Sequence, residues 1–403
     1  MKILIISPGY FPTTRQQGGA IEKLIDNFLE YNENIKKDIE VYSPKISSEK
    51  YDSEIYQYTK FNIIDKTTKK YKILNFINKV FNKISIISIG VSLPNLFIKE
   101  VVRDIKRKRK ESYYDLIIFE NGVENINYFH KHINGKVKLV LHLHNDYLNI
   151  ETKQASKILK NCSQVWTVSN YIKSRVDEIE YIENKVKVLS NPLDKKIFDK
   201  NCTKNELIKL KKSLGINDEF VFIYTGRVIP AKGVKELIQA FNFFNIKNKK
   251  FKLLIVGGDQ NYLNRSKYLD DVKKIANDNV IFTGFIPVES LYKYYKIANA
   301  QIVPSMWNEA FGLILLEGMY FDLPIIATNS GGMPEICEQS AYLVERKNII
   351  EDLVTKMEYL INNPIDSNEK KKKYNGILNK FTLEKYCTNF DKLINELYEL
   401  DNI

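Results

Sequence analysis

Two doubly wound α/β domains joined by a polar hinge are what this sequence predicts, and three observations predict them. The chain has 403 residues, too many for one hydrophobic core and enough for two domains of comparable size. Short apolar, β-branched runs alternate with amphipathic helical stretches through nearly all of it, the signature of βαβ units and parallel sheets. The alternation falls into two series, separated by Ser190-Asn191-Pro192-Leu193-Asp194 and a Lys- and Asn-rich stretch to about residue 217.

The first series opens with Ile3-Leu4-Ile5-Ile6. Pro8 and Gly9 end that run before it could serve as a secretory h-region. Further strands are expected at Ile39-Glu40-Val41-Tyr42, Leu116 to Phe119, Val137 to Leu143 and Val165 to Val168. Lys66 to Lys110 fits the alternation poorly and reads as an irregular or helical insertion. The second series places strands at Phe220 to Tyr224, Leu253 to Val256, Val280 to Phe282, Ala300 to Val303 and Pro324 to Ala327. After Lys347 the pattern is wholly helical. The expected division is an amino-terminal domain at 1–193, a second domain at 194–380, and a closing helix at 381–403 that packs back toward the first domain. Doubly wound sheets bind ligands at the carboxyl ends of their strands, so a ligand is expected in a cleft between the two.

Composition excludes several classes. With 44% hydrophobic and 27% charged residues the chain is globular rather than disordered. The uncharged stretch between Lys83 and Lys99 contains Gly90, Pro94, Asn95 and serines, so it cannot supply the ~20 apolar residues that span a bilayer. Cys162, Cys202, Cys337 and Cys387 form no C-x-x-C pair, which argues against a zinc site or disulfide framework and fits a reducing cytoplasm. Net charge is +12, concentrated in part in the run Arg103 to Lys110. That run reads as a solvated helix face. Beside Ile84 to Ile98 it also suits an anionic membrane surface at the inner face of a membrane, whereas nucleic acid is disfavoured because no aromatic-interleaved basic motif accompanies it.

Several segments carry chemistry. Pro304 to Gly318 reads as strand end, loop and helix, with Glu309 before the helix and Glu317 inside it. Eight positions along a helix span at most ~12 Å, which suits two ends of one ligand, and the helix start between them offers N–H groups to an anion. Gly226-Arg227 and Lys232-Gly233 lie at a strand end and a helix start, where Arg forks onto phosphate oxygens and Lys adds a compact charge. Gly18-Gly19-Ala20 allows the backbone to approach a pyrophosphate, but it is not G-x-G-x-x-G, so a dinucleotide is disfavoured. His142 and His144 alternate at the end of one strand. His144 is expected beside the ligand, with His142 the better candidate for a core residue. Gly331-Gly332 either lies against a ligand or permits a turn.

Taken together these segments resemble glycosyltransferase family four, retaining transferases of the GT-B fold with two Rossmann-like doubly wound domains facing a central cleft. The likeness runs in order from Gly18-Gly19 to Gly331-Gly332-Met333-Pro334-Glu335 and is sharpest at G-R-x4-K-G (Gly226 to Gly233) and E-A-F-G-x4-E (Glu309 to Glu317). The resemblance implies that Gly18-Gly19 approaches the donor diphosphate, with the Gly19 N–H lent to it, and that Arg227 and Lys232 neutralise it. It implies that Glu309 and the Phe311-Gly312-Leu313 backbone meet the donor sugar, Glu317 the ribose, Ile286 the base, and that His144 lies near the sugar. Asn191-Pro192-Leu193-Asp194 departs from the family's N-G-V-D hinge. No D-x-D occurs, so the cations are expected to replace a metal and no cofactor is expected. The implied partners are a UDP-sugar, or a GDP-sugar, and a glycan, lipid-linked or protein acceptor. A non-catalytic sugar-nucleotide-binding partner of another transferase, or an epimerase of the same architecture, are the alternatives. An epimerase would need amino-terminal acid/base carboxylates that the motifs do not reveal.

Overall fold

The computed structural model describes residues 1–13, 19–47, 55–89, 93–108, 113–133, 137–245, 250–259, 267–363 and 366–399, the side chains of 86–89 and 245 excepted. Gly18, Arg109 and Lys110 lie outside the described residues. The chain divides into two units, Met1–Ser190 with Tyr386–Ile403, and Asn191–Lys385. Both boundaries differ by a few residues from the expected 193/194 and 380/381. The second falls inside a helix, so no polar break marks it in the sequence.

The first unit runs β1 (Lys2–Ile6), α1 (Ala20–Ile35), β2 (Asp38–Lys45), β3 (Thr59–Asp65), α2 (Lys69–Ile89), α3 (Leu96–Arg107), β4 (Leu116–Glu120), α4 (Ile126–His132), β5 (Lys138–Leu143), α5 (Ala155–Asn161), β6 (Gln164–Thr167), α6 (Asn170–Asp177) and β7 (Val186–Val188). Its sheet is seven-stranded and parallel, ordered β3-β2-β1-β4-β5-β6-β7. The order reverses between β1 and β4, and a ligand of such a sheet sits outside the strand ends at that point. Ile3 to Ile6 are fully buried, as a strand covered on both faces requires.

The second unit runs α7 (Lys195–Phe198), α8 (Lys204–Ser213), β8 (Phe220–Thr225), α9 (Val234–Asn245), β9 (Phe251–Val256), α10 (Lys267–Ile275), β10 (Val280–Gly284), α11 (Val288–Ile297), β11 (Ala300–Val303), α12 (Leu313–Tyr320), β12 (Ile325–Thr328), α13 (Met333–Cys337), β13 (Tyr342–Val344), α14 (Ile349–Asn362), α15 (Ser367–Leu378) and the start of α16 (Leu383–Glu399). Its six-stranded parallel sheet is ordered β10-β9-β8-β11-β12-β13 and reverses between β8 and β11. Phe222, Phe241, Leu253, Ile302 and Leu353 fill its core. The polar stretch after Asp194 holds α7 and α8 rather than an irregular hinge. Thr203 and Glu206 cap α8 reciprocally, and T-x-x-E at 203–206 was the sequence signal for it.

The closing helix α16 belongs to the first unit from Tyr386 onward. There Phe390 stands 4.0 Å from the Phe28 ring and 5.2 Å from that of Trp166. The segment Lys66 to Lys110 is helical in α2 and α3. Leu96, Phe97 and Ile98 of the apolar stretch paired with the basic run are buried, so they offer nothing to a membrane. No helix among the described residues is long and apolar enough to cross a membrane.

Candidate functional site

In the second unit the loops that follow β8, β11 and β12 meet at the point where the strand order reverses. Gly226 and Arg227 follow directly on β8, and the Tyr224 hydroxyl donates to the Arg227 carbonyl at 2.7 Å. Arg227 is exposed and its guanidinium has no partner among the described residues. Lys232 closes a short 3-10 turn, Pro230–Lys232. Gly233 follows at φ +67°, where an added Cβ would stand 1.9 Å from the Pro304 carbonyl oxygen, so only glycine lets the two loops come this close. The N–H groups of Met306 and Trp307 donate to the Ala231 carbonyl at 3.0 and 3.1 Å.

That clip aligns Lys232 with Glu309. The ammonium lies 2.5 Å from Glu309 Oε1, and the Ser305 hydroxyl donates to the same oxygen. Behind it, the Gly332 N–H donates to the Glu309 carbonyl at 2.7 Å, and Gly331 sits at φ +58° with no room for a side chain against that carbonyl. The glycine pair is therefore a packing requirement that holds the carboxylate's backbone.

Farther on, Gly312 (φ +104°) precedes α12, whose first residue is Leu313. Phe311 is buried against Phe381, ring centroids 5.5 Å apart, so only its backbone is offered to a ligand. Glu317 accepts from the Tyr295 hydroxyl at 2.6 Å, and that oxygen lies 2.6 Å from Thr225 Oγ1. Burial pushes the Glu317 carboxyl up to about 7, against the opposing effect of the Tyr295 hydrogen bond. Tyr295 and Thr225 carried no motif signal; only the fold brings them to Glu317. Ile286 is partly buried in the loop between β10 and α11. That loop starts where the Gly257 N–H donates to the Gly284 carbonyl at 3.0 Å.

In the first unit Gly19 caps α1 in an extended conformation. The Glu22 carboxylate turns back onto the N–H groups of Phe11 and Gly19, and burial raises its pKa.

His142 and His144 project from the end of β5 onto Glu120, the last residue of β4. His142 Nδ1 is 3.0 Å from Glu120 Oε2, and His144 Nε2–H donates to that oxygen at 2.7 Å. His142 is fully buried, and His144 is 8% exposed. Burial raises the Glu120 carboxyl, but the charge and hydrogen bonding of the two imidazoles overcome it and hold the group at about 2. Burial and the neighbouring His142 depress His144 to about 4, with Glu120 opposing. A carboxylate only accepts, so the neutral His144 ring carries its proton on Nε2 and keeps the Nδ1 lone pair for another partner. Glu120 is an amino-terminal carboxylate that the motifs did not reveal, but it is buried and held ionised, which does not suit acid/base work. Its signal was a charge at the end of an otherwise apolar strand. Among the described residues Glu120, His142 and His144 also form the group whose donor atoms lie close enough to share a metal ion. Glu120 Oε2 already accepts from His144.

Residues 208–377 match the family model for Glycosyl transferases group 1. Within those residues the chain is similar to that family, and its architecture is that of the GT-B fold. It is 27% identical over 83% of its length to YtcC of Bacillus subtilis (strain 168), covering 77% of that protein. It is 28% identical to the lipopolysaccharide 1,2-N-acetylglucosaminetransferase of Salmonella typhimurium over 50% of this chain and 51% of the relative. A Staphylococcus aureus capsular polysaccharide biosynthesis glycosyltransferase, CapM, is 30% identical over 45% of this chain and 47% of its own length. Among solved structures, HepE of Anabaena in complex with UDP superposes with a TM-score of 0.71 at 16% identity, covering 98% of this chain and 100% of that one. Sucrose-phosphate synthase of Thermosynechococcus elongatus gives 0.73 at 16% identity, covering 99% and 100%. These likenesses extend the shared architecture beyond the matched domain to nearly the whole chain.

Proposed function

We propose that this protein transfers a hexose from a UDP-sugar, with retention of anomeric configuration and without a metal ion, to a glycan or lipid-linked acceptor in the synthesis of a surface polysaccharide or glycoconjugate. The observation that carries the reading is the convergence of three strand-end loops on Lys232 and Glu309, with the unpartnered Arg227 guanidinium on the first of those loops. Cleaving the anomeric bond builds negative charge on the leaving diphosphate and positive charge on the sugar, and fixed cations with helix N–H groups at the phosphates favour that change. In this reading Arg227 and Lys232 hold the diphosphate and Glu309 and the Phe311-Gly312-Leu313 backbone the sugar. Glu317 holds the ribose and Ile286 faces the base. The acceptor hydroxyl attacks from the face the diphosphate leaves, and the leaving phosphate takes its proton.

The UDP preference is supported by the UDP and UDP-glucose complexes of HepE, a fold neighbour, and the acceptor class by the names of the lipopolysaccharide and capsular relatives. The place of work is the cytoplasmic face of a membrane. A panel of UDP- and GDP-sugars, assayed for binding, slow hydrolysis and transfer, tests the proposal. Transfer with an inverted anomer, or turnover with GDP-sugars alone, rejects the corresponding part. Isomerised sugar nucleotide without transfer marks an epimerase, and binding without turnover on any acceptor marks a non-catalytic partner.

A further inference from the structure

Helix α2 is built inside out. At 100° per residue, Ile73, Phe76, Ile77, Val80, Phe81 and Ile84 fall within an arc of about 140°, and that arc faces solvent. Phe76 is 68% exposed, Ile73 61% and Phe81 59%. The opposite side holds the buried Tyr71 together with asparagines that bond to the protein. Asn78 Nδ2 donates to the Pro94 carbonyl at 3.3 Å and its Oδ1 accepts from Lys99, while the Leu93 N–H donates to Asn82 Oδ1 at 2.7 Å. A surface helix of a water-soluble domain turns its apolar stripe to the core and its amides to water. Here the two are exchanged over three turns, which makes the exposure continuous rather than the scattered single residues normal on a surface.

Charge identifies the partner. The helix carries Lys69, Lys70, Lys72, Lys79 and Lys83 and no acidic residue. Lys72, Lys79 and Lys83 line one edge of the apolar arc. The neighbouring α3 exposes Arg103, Lys106 and Arg107, while its acids Glu100 and Asp104 are already engaged by Arg103, Arg107 and Lys108. An apolar stripe edged by lysines matches a helix that lies in the plane of an anionic lipid surface, side chains among the acyl chains and ammonium groups among the headgroups. A second copy of this chain would set the same lysines against each other with no acid on the helix to neutralise them.

We propose that the exposed face of α2 docks the protein on an anionic bilayer. The proposal gives the membrane-face reading above a physical surface, moved from the basic run to the helix before it, and rests on that reading for its place but not on the transfer chemistry. Sedimentation of the full chain with phosphatidylcholine vesicles, with and without phosphatidylglycerol, tests it. Binding is expected only with the anionic vesicles and weakens with added salt. The double variant F76S/F81S and the triple variant K72Q/K79Q/K83Q each lower vesicle affinity at least about tenfold. The sugar-nucleotide hydrolysis rate and thermal midpoint stay unchanged, because these side chains are exposed. Equal sedimentation of wild type and both variants overturns the proposal. So does a concentration-dependent dimer, seen by light scattering, that F76S/F81S abolishes. Vesicle binding by a protein that turns over no sugar nucleotide leaves the surface standing and rejects the transfer reading instead.

Discussion

The Lys232 ammonium is paired with Glu309 Oε1 at 2.5 Å. The cation proposed for the diphosphate and the carboxylate proposed for the sugar therefore hold each other in place. On the proposed reading, donor binding would replace one partner of each: phosphate oxygens would take the ammonium, and the released carboxylate would accept from the sugar. Neither group has to be recruited from solvent, which is the pre-organisation that electrostatic catalysis depends on.

Lys232→Ala should lower turnover by ~100-fold or more, the loss expected for one transition-state charge. The pair is partly exposed, 26% at Lys232 and 17% at Glu309, so the thermal midpoint should move little, in keeping with the ~0–1 kcal/mol typical of such pairs. Steady-state kinetics beside a melting curve checks both. Near-wild-type kcat removes Lys232 from the phosphate site.

The two glutamates should fail differently. Glu309→Ala should chiefly slow transfer, and Glu317→Ala should chiefly weaken UDP binding, measured by calorimetry with free nucleotide. Equal losses of UDP affinity contradict the division.

Glu317 also has a stability signature. Its folded pKa, about 7, lies above its ordinary value of 4.5. The folded state therefore keeps a proton that the unfolded state loses between those values, and the favourable contribution present at low pH is lost as pH rises through 7. Glu317→Gln does not titrate. Its thermal midpoint minus that of the wild type should grow from pH 5 to pH 8, on the order of 1–3 kcal/mol in stability. A constant difference across that range contradicts the buried, raised carboxyl.

Glu120 and His144 act in the opposite sense. Both folded pKa values, about 2 and about 4, lie below the unfolded ones. The unfolded chain therefore takes up protons first as pH falls, and stability drops from about pH 6.5 toward pH 2. Glu120→Ala leaves the buried His144 ring without its acceptor and should cost ~1–3 kcal/mol at neutral pH. Denaturant melts from pH 3 to pH 7 report both effects, and a flat profile in the wild type refutes the assignment.

Turnover should survive excess EDTA, because Arg227 and Lys232 supply the charge that a metal would otherwise bring to the diphosphate. Loss of turnover on chelation, restored by Mg²⁺ or Mn²⁺, contradicts the metal-independent mechanism.

How much of this was legible in the chain depends on burial. Strands covered on both faces, such as Ile3 to Ile6 and Leu253 to Val256, are uninterrupted apolar runs and stand out from helices by length and β-branching. The strands missing from the sequence reading, Thr59–Asp65, Val186–Val188 and Tyr342–Val344, are three of the sheet-edge strands. A strand with a neighbour on one side tolerates polar residues and shortness, so its pattern dissolves into the loops beside it.

The sequence by itself determined the two-domain α/β class and the loops that carry Arg227, Lys232, Glu309 and Glu317, because periodicity and glycine-flanked charge are local properties written along the chain. Only the tertiary structure decided the partnerships. Lys232 and Glu309 stand 77 positions apart and Glu120 and His144 stand 24 apart, and such pairs form because parallel strands bring their carboxyl ends to one edge of the sheet. The same holds for α2, whose periodicity shows an apolar stripe without saying which way it faces. Packing against α3 settled that, by satisfying the asparagines inside and leaving Ile73, Phe76 and Phe81 to the outside.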